Sequence, residues 1–255
     1  MLTGLAALGP LWEALGIDPL AIATAFLRVT GMVMLVPALG ERMLPVRVRL
    51  AGSFALTVAV APMLPPLDVP FGNALILSEI AVGAMLGAVL RFTAQALIVA
   101  GTVAAQATSL AQLFGQVQME ASSALGHVLN VAGLALIMAT GLHVLLIDLL
   151  LRSWEVFPAG VLLPGADVAE WGMRRAASAF ALALGLASPF VIAAVLYNVA
   201  LGVINKAMPQ LMVALVGAPA ITGISLILFA SCAALMLTVW RDRMLAVLAD
   251  PLMGF

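Results

Sequence analysis

The sequence predicts an all-α membrane protein, with about six long apolar helices arranged in hairpins. Three observations carry this expectation. Hydrophobic residues make up 64% of the 255-residue chain and charged residues 9%, against roughly 45–50% and about 25% in soluble domains. A soluble protein of this size has too little interior to hide so much apolar side chain. Lipid or other protein must therefore surround much of the surface. The apolar residues also come in long continuous runs, whereas an outer-membrane barrel shows short alternating segments. Charges are correspondingly sparse: Lys206 is the one charged residue between Arg175 and Arg241.

A transmembrane helix needs about 20 mostly apolar residues, and six segments reach or approach that length: 20–40, 48–64, 74–100, 124–151, 176–204 and 211–240. Between the first two lies GERMLPVRVR (40–49), the one compact basic loop. PMLPPLDVPFG (62–72) is a Pro-rich turn carrying only Asp68. FPAGVLLPGADVAEWGMRR (157–175) reads as the longest polar connection. Between the last two segments, Asn205, Lys206, Pro209 and Gln210 form a polar knot in apolar sequence. Pro209 stops a helix and displaces the residue before it from helical geometry, so the knot reads as a hairpin turn. The start of the chain has no basic residue ahead of its apolar part and carries Glu13 and Asp18, unlike a cleavable signal peptide. With no internal repeat and no low-complexity segment, residues 1–255 read as a single domain.

Within the third segment, Gly83 and Gly87 form a small-xxx-small pair, and Ala84 with Ala88 repeats the spacing. That spacing favours close helix–helix packing in lipid; general glycine richness of membrane helices is the plainer explanation. Arg28, Glu79, Arg91, Glu120 and Asp148 lie in or at the ends of apolar runs. A charge at the bilayer centre costs at least ~2.5–3.5 kcal/mol, so each must pair, snorkel, or face water or protein. Glu79 and Arg91 are rotated by about 120° on one helix and do not stack, so their partners come from other helices or other subunits. Counting arginines does not orient the spans. With the 40–49 loop on the cytoplasmic side, Arg152, Arg174, Arg175, Arg241 and Arg243 fall outside, which balances the two sides and defeats the positive-inside rule. Some helices are therefore expected not to be ordinary lipid-facing spans.

Several functions are excluded by composition. A net charge of −1 and a pI near 6.1 supply no basic field for nucleic acid. Cys232 is the sole cysteine, so no intrachain disulfide forms. His127 and His143 would face opposite sides of one helix, and no carboxylate or thiol cluster has metal-ligand spacing. No catalytic motif is present. The expectation is a protein without catalytic, cofactor or metal residues, and not an enzyme.

GTVAAQATSLAQLFGQVQMEASSALGH (101–127) is unusual in carrying Gln106, Gln112, Gln116, Gln118 and Glu120. Each buried amide needs hydrogen-bond partners. The row reads either as contacts with neighbouring subunits or a wet passage, or as a re-entrant loop packed against its own protein.

Two patches resemble one family closely. AFLRVTGMVMLVPALGERMLPVRVRL (25–50) is similar to the first helix and basic loop of the FliR family, the export-gate subunits of flagellar type III secretion. Arg28, Pro37, Glu41, Arg42, Pro45, Arg47 and Arg49 carry that likeness. NVALGVINKAMPQLMVALVGAP (198–219) resembles the family's C-terminal signature through Asn205, Pro209, Gln210, Gly217 and Pro219. The layout of the middle segments agrees as well.

The resemblance implies a non-enzymatic, pore-forming subunit in the bacterial inner membrane, within the flagellar basal body. Its partners would be FliP-like and FliQ-like gate subunits and an FlhB-like switch protein, packed in a helical hetero-oligomer. Unfolded flagellar proteins would pass through the centre. A plug loop would correspond to Phe114, Gly115, Gln116, Val117, Gln118, Met119 and Glu120. Assembly contacts are expected at Arg28, Glu41, Arg42, Arg47, Gly83, Gly87, Asn205, Lys206, Pro209 and Gln210. The sequence departs from many relatives after the plug, where EASSALGH replaces an Asp-Pro pair. The virulence injectisome subunit is the alternative within the same architecture. A small-solute secondary transporter with helices broken at Pro189 and Pro219 is the alternative outside it.

Overall fold

A computed structural model describes residues 18–41, 44–64, 69–109, 124–208 and 213–251. All regular structure among these residues is helical. Seven α-helices run in the order α1 (Pro19–Val33), α2 (Val46–Val60), α3 (Asn73–Ser109), α4 (Ala124–Ala139), α5 (Leu142–Val156), α6 (Gly165–Ala207) and α7 (Val213–Ala249), and a short 3-10 turn, Ala61–Met63, extends α2. By length and composition, α2 with its extension, α3, α6 and α7 can each cross a membrane, and α4 with α5 can form a fifth, broken span.

Local chemistry explains where the helices begin and end. Asp18 caps α1 by accepting a hydrogen bond from the Leu20 amide at 2.9 Å, with Pro19 in the first turn, where its missing N–H costs nothing. The run at 124–151 is two helices, not the single one expected. They break at Thr140–Gly141, and Gly141 adopts φ +82°, a conformation that only glycine takes readily. The connection expected over 157–175 is shorter, because α6 starts at Gly165. Pro164 precedes that start and Asp167 lies in the first turn, where a carboxylate favours the helix dipole. Pro189 sits inside α6 and cannot donate to the Gly185 carbonyl; the Ser188 hydroxyl donates there instead, at 2.8 Å. The Thr57 and Ser225 hydroxyls likewise donate one turn back, to Ser53 O and Ile221 O.

The chain divides into two compact units: Met1–Arg91 with Thr140–Met173 and Ala246–Phe255, and Phe92–Ala139 with Arg174–Leu245. In the first, α1 packs along α2 and α5 also touches α2. Its core includes Ala25, Val29, Met32, Leu86, Leu90 and Leu146. Glycines bring α1 and α3 backbone to backbone. A Cβ on Gly31 would meet the Ile80 carbonyl at 2.6 Å, and one on Gly83 would collide with the Arg28 carbonyl oxygen.

The second unit is held by a tryptophan and by glycines. Trp240 is fully buried, and its Nε1 donates to the Thr93 carbonyl at 2.7 Å. Gly133 makes room for the Leu97 side chain and the Trp240 ring, and Gly101 lies against the backbone of Gly126.

Candidate functional site

An arginine in an apolar helix must find partners or leave the membrane interior. Arg28, on α1, finds them inside its own chain. Its Nε donates to Glu79 Oε2 at 2.8 Å and its Nη2 to Glu79 Oε1 at 3.0 Å. This two-pronged pairing is the strong geometry for guanidinium and carboxylate. Nη1 donates to Ser153 Oγ at 3.0 Å, and Nη2 also donates to the Phe157 carbonyl at 2.9 Å. The guanidinium lies over the Trp154 ring, 4.4 Å from its centroid, a cation–π arrangement. Glu79 Oε1 accepts a further bond from the Gly160 amide at 3.3 Å.

Both charges have no exposed side-chain surface. Each must be answered by hydrogen bonds, because an unpaired buried ion is very costly. The answers come from three helices and the link that follows α5. α1 supplies Arg28, α3 Glu79, α5 Ser153 and Trp154, and residues 157–160 two backbone groups. Gly83, one helical turn after Glu79, keeps α3 close enough to α1 for the pair to meet. At Gly160, φ is +81°, so the backbone there can turn its amide toward the carboxylate.

A second, half-exposed set holds the link between α1 and α2. Arg91 Nη1 pairs with Glu41 Oε1 at 2.7 Å. Arg49 Nη2 donates to the carbonyls of Glu41 and Leu44 at 3.0 and 3.1 Å. Glu41 is thus gripped by its side chain from α3 and by its backbone from α2.

Neither set suggests turnover chemistry. The Arg28–Glu79 pair is closed to water, with no room for a substrate, and its bonds tie helices together. Among the described residues, no group of three His, Cys, Asp or Glu side chains is placed to hold a metal. His127 and His143, expected on one helix, lie on α4 and α5 and are exposed.

A buried arginine followed by a Glu41 held from α3 and α2 is a feature of this chain's own fold; comparison with known proteins gives it a context. The family model described as bacterial export proteins, family 1, matches residues 20–247. The flagellar biosynthetic protein FliR of Caulobacter vibrioides is 32% identical over 233 residues, covering 87% of this chain and 91% of the relative. This chain belongs to the FliR family. FliR of Escherichia coli is 30% identical over 200 residues, 76% of each chain. FliR of Bacillus subtilis is 24% identical over 231 residues, 87% of this chain and 89% of that one. As a FliR-family member with several membrane-length apolar helices, it is a membrane protein of flagellar export.

The FliR resemblance named seventeen positions in two groups, and the structure places them unevenly. Residues 114–120 lie outside the described residues, as do Arg42, Pro209 and Gln210. Arg28 is fully buried and bonded within the chain, and Gly83 and Gly87 lie against the α1 backbone. Glu41 is half-buried in its pair with Arg91, and Arg47 is exposed. Asn205 and Lys206 are exposed in the last turn of α6, which ends at Ala207.

Sequence reasoning noticed Glu79 as a charge in an apolar run but assigned it no partner. It missed Ser153, Trp154, Phe157 and Gly160. A buried arginine whose carboxylate lies on another apolar run is a signal that could have led to Glu79. Nothing in the sequence marks the other four.

Proposed function

We propose that this chain is a pore-forming subunit of the flagellar type III export gate. It assembles with FliP-like and FliQ-like subunits in the bacterial inner membrane, beside an FlhB-like protein, and passes unfolded flagellar proteins. Kinship with FliR proteins over nearly the whole chain carries this reading. The surface supports it: Val195, Leu196, Val199 and Val203 on α6, and Ile224, Leu226, Ile227 and Leu235 on α7, are all exposed. A helix apolar on all sides is stable only inside a larger assembly or a membrane. The relatives described above are flagellar, which favours the flagellar over the injectisome branch. Within this reading the exposed turn at Asn205 and Lys206 is an assembly contact, and residues 114–120 plug the pore.

Deleting the gene should abolish secretion of hook and filament proteins and leave cells non-motile, and gentle extraction of the tagged chain should recover smaller gate subunits. Normal motility in the deletion strain would sink the proposal. For the plug, replacing Phe114 and Met119 with Gly should raise ion leakage; unchanged membrane conductance counts against it.

A further inference from the structure

The ion pair that closes the core of the first unit also fixes part of that unit's surface. After α5 the chain turns over Pro158–Val161, where the Val161 amide donates to the Pro158 carbonyl at 3.3 Å. Gly160 takes the positive φ that the third position of a type II turn requires. The buried pair holds this turn at two points. Arg28 donates to the Phe157 carbonyl just before it, and the Gly160 amide within it donates to Glu79. Gly160 also lies beside residues 69–72, the stretch that leads into α3: a Cβ there would stand 3.5 Å from Val69 Cγ1. Two connections are thus laid side by side on one ionic anchor.

These connections bring large apolar side chains to the surface. Leu162 and Phe71 are each 61% exposed, and Val161 is exposed as well. Single apolar residues scattered over a surface are ordinary, but these sit on adjoining links, one of them tied to a sealed ion pair. Side chains on a backbone that is already fixed lose less freedom when a partner covers them. A few such buried anchors carry most of the energy of an interface.

Charge decides what covers them. From Ser153 to Met173 the sequence carries Glu155, Asp167 and Glu170 and no Lys or Arg, and all three acidic residues are exposed. An anionic membrane surface attracts basic segments and repels this one. Hydrocarbon would have to take in carboxylates beside the apolar groups, at high cost. A protein segment with an apolar side chain between Lys or Arg residues answers both features together. Its apolar group would be buried against Leu162 and Phe71, and opposite charges would meet at the rim.

We propose that residues 69–72 and 157–164 form a docking surface for a basic, apolar segment of a partner protein, with Leu162 and Phe71 as anchors and Glu155, Asp167 and Glu170 as the charged rim. The proposal concerns this surface alone and stands apart from the gate reading, which motility and co-purification test separately.

The test is photo-crosslinking of the full chain in living cells. The photoreactive residue p-benzoylphenylalanine replaces Leu162 in one variant and Phe71 in another, and mass spectrometry identifies what each is joined to after irradiation. Both probes should join the same segment of another protein, with Lys or Arg within a few residues of the joined apolar side chain. Carrying Glu155→Lys, Asp167→Lys and Glu170→Lys together should lower the yield at 162 several-fold. A lipid adduct, a joined peptide from this chain itself, or no adduct at either position would overturn the proposal. So would a joined segment without Lys or Arg, different partners at 71 and 162, or a yield that charge reversal leaves unchanged. Should the triple variant fail to accumulate, Glu155→Gln with Asp167→Asn is read in its place. That pair keeps side-chain size and removes two charges, so the yield should still fall, and an unchanged yield would overturn the charge match.

Discussion

The two compact units both pack helices across glycine gaps, but they differ in what else holds the helices together. In the first, the buried polar residues are Thr24, Arg28, Ser53, Thr57, Ser78, Glu79 and Ser153, centred on a closed ion pair. In the second, Thr93 and Ser225 are the buried polar residues among those described, and contact rests on Trp240 and on glycine gaps. Directional bonds between charges fix which atoms of neighbouring helices meet. Close packing of small residues fixes only how near the helices come. The first arrangement should therefore fail most when one partner is removed, and the second when volume is added.

The largest effect should come from leaving one buried charge alone. Arg28→Met leaves Glu79 without its two-pronged partner in a site closed to water. Removing one member of a buried pair costs about 3–5 kcal/mol. Chemical unfolding of the purified chain in detergent, followed by far-UV circular dichroism, should show that loss. The double variant Arg28→Met with Glu79→Leu should be more stable than Arg28→Met alone, because two apolar side chains need no ionic partner. A single variant as stable as the native chain would mean that the pair does not hold the first unit together.

An intermediate effect is expected from added volume, and here the two units can be told apart directly. A Cβ on Gly83 would meet the Arg28 carbonyl, and one on Gly101 would meet the Gly126 backbone. Neither neighbour is a flexible side chain that can swing aside, so each alanine should cost about 1–3 kcal/mol. The difference lies in coupling. Gly83→Ala displaces the backbone that carries Arg28, so its effect should be non-additive with Glu79→Gln, whereas Gly101→Ala shares no partner with Glu79 and should add to it. Equal coupling at both positions would erase the distinction between the units.

How much of this was legible beforehand follows from the range of each signal. Long apolar runs and the glycine pair at 83 and 87 are local patterns: most of the runs lie on helices, and the two glycines mark a close approach to α1. Thr140–Gly141 was missed because a single glycine among apolar residues reads as continuous helix. The early start of α6 was missed because Asp167, Glu170, Arg174 and Arg175 look like a solvated loop, although Trp171 in their midst is buried. The pairing of Arg28 with Glu79 spans 51 positions, and Trp240 reaches Thr93 across 147. No periodicity carries information over such distances; only the chain's topology does. The likeness to FliR, by contrast, rests on residues grouped in two short stretches, 25–50 and 198–219, and it was readable without any knowledge of contacts.

The smallest effect should come from a pair of the same chemical kind that water can reach. Arg91 and Glu41 meet at 2.7 Å, as close as Arg28 and Glu79, but their side chains are 25% and 31% exposed. Solvent weakens such a pair to about 0–1 kcal/mol. Glu41→Gln keeps an oxygen for Arg91 and leaves the backbone carbonyl that Arg49 holds, so the cost should fall at the low end. Salt sharpens the contrast, because mobile ions screen exposed charges within about 10 Å at 0.1 M and buried ones far less. Raising ionic strength should shrink the difference between native chain and Glu41→Gln while leaving that for Arg28→Met unchanged. If salt reduced both alike, the Arg28–Glu79 site would be open to solvent, and the contrast between a sealed ionic core and an apolar one would fall with it.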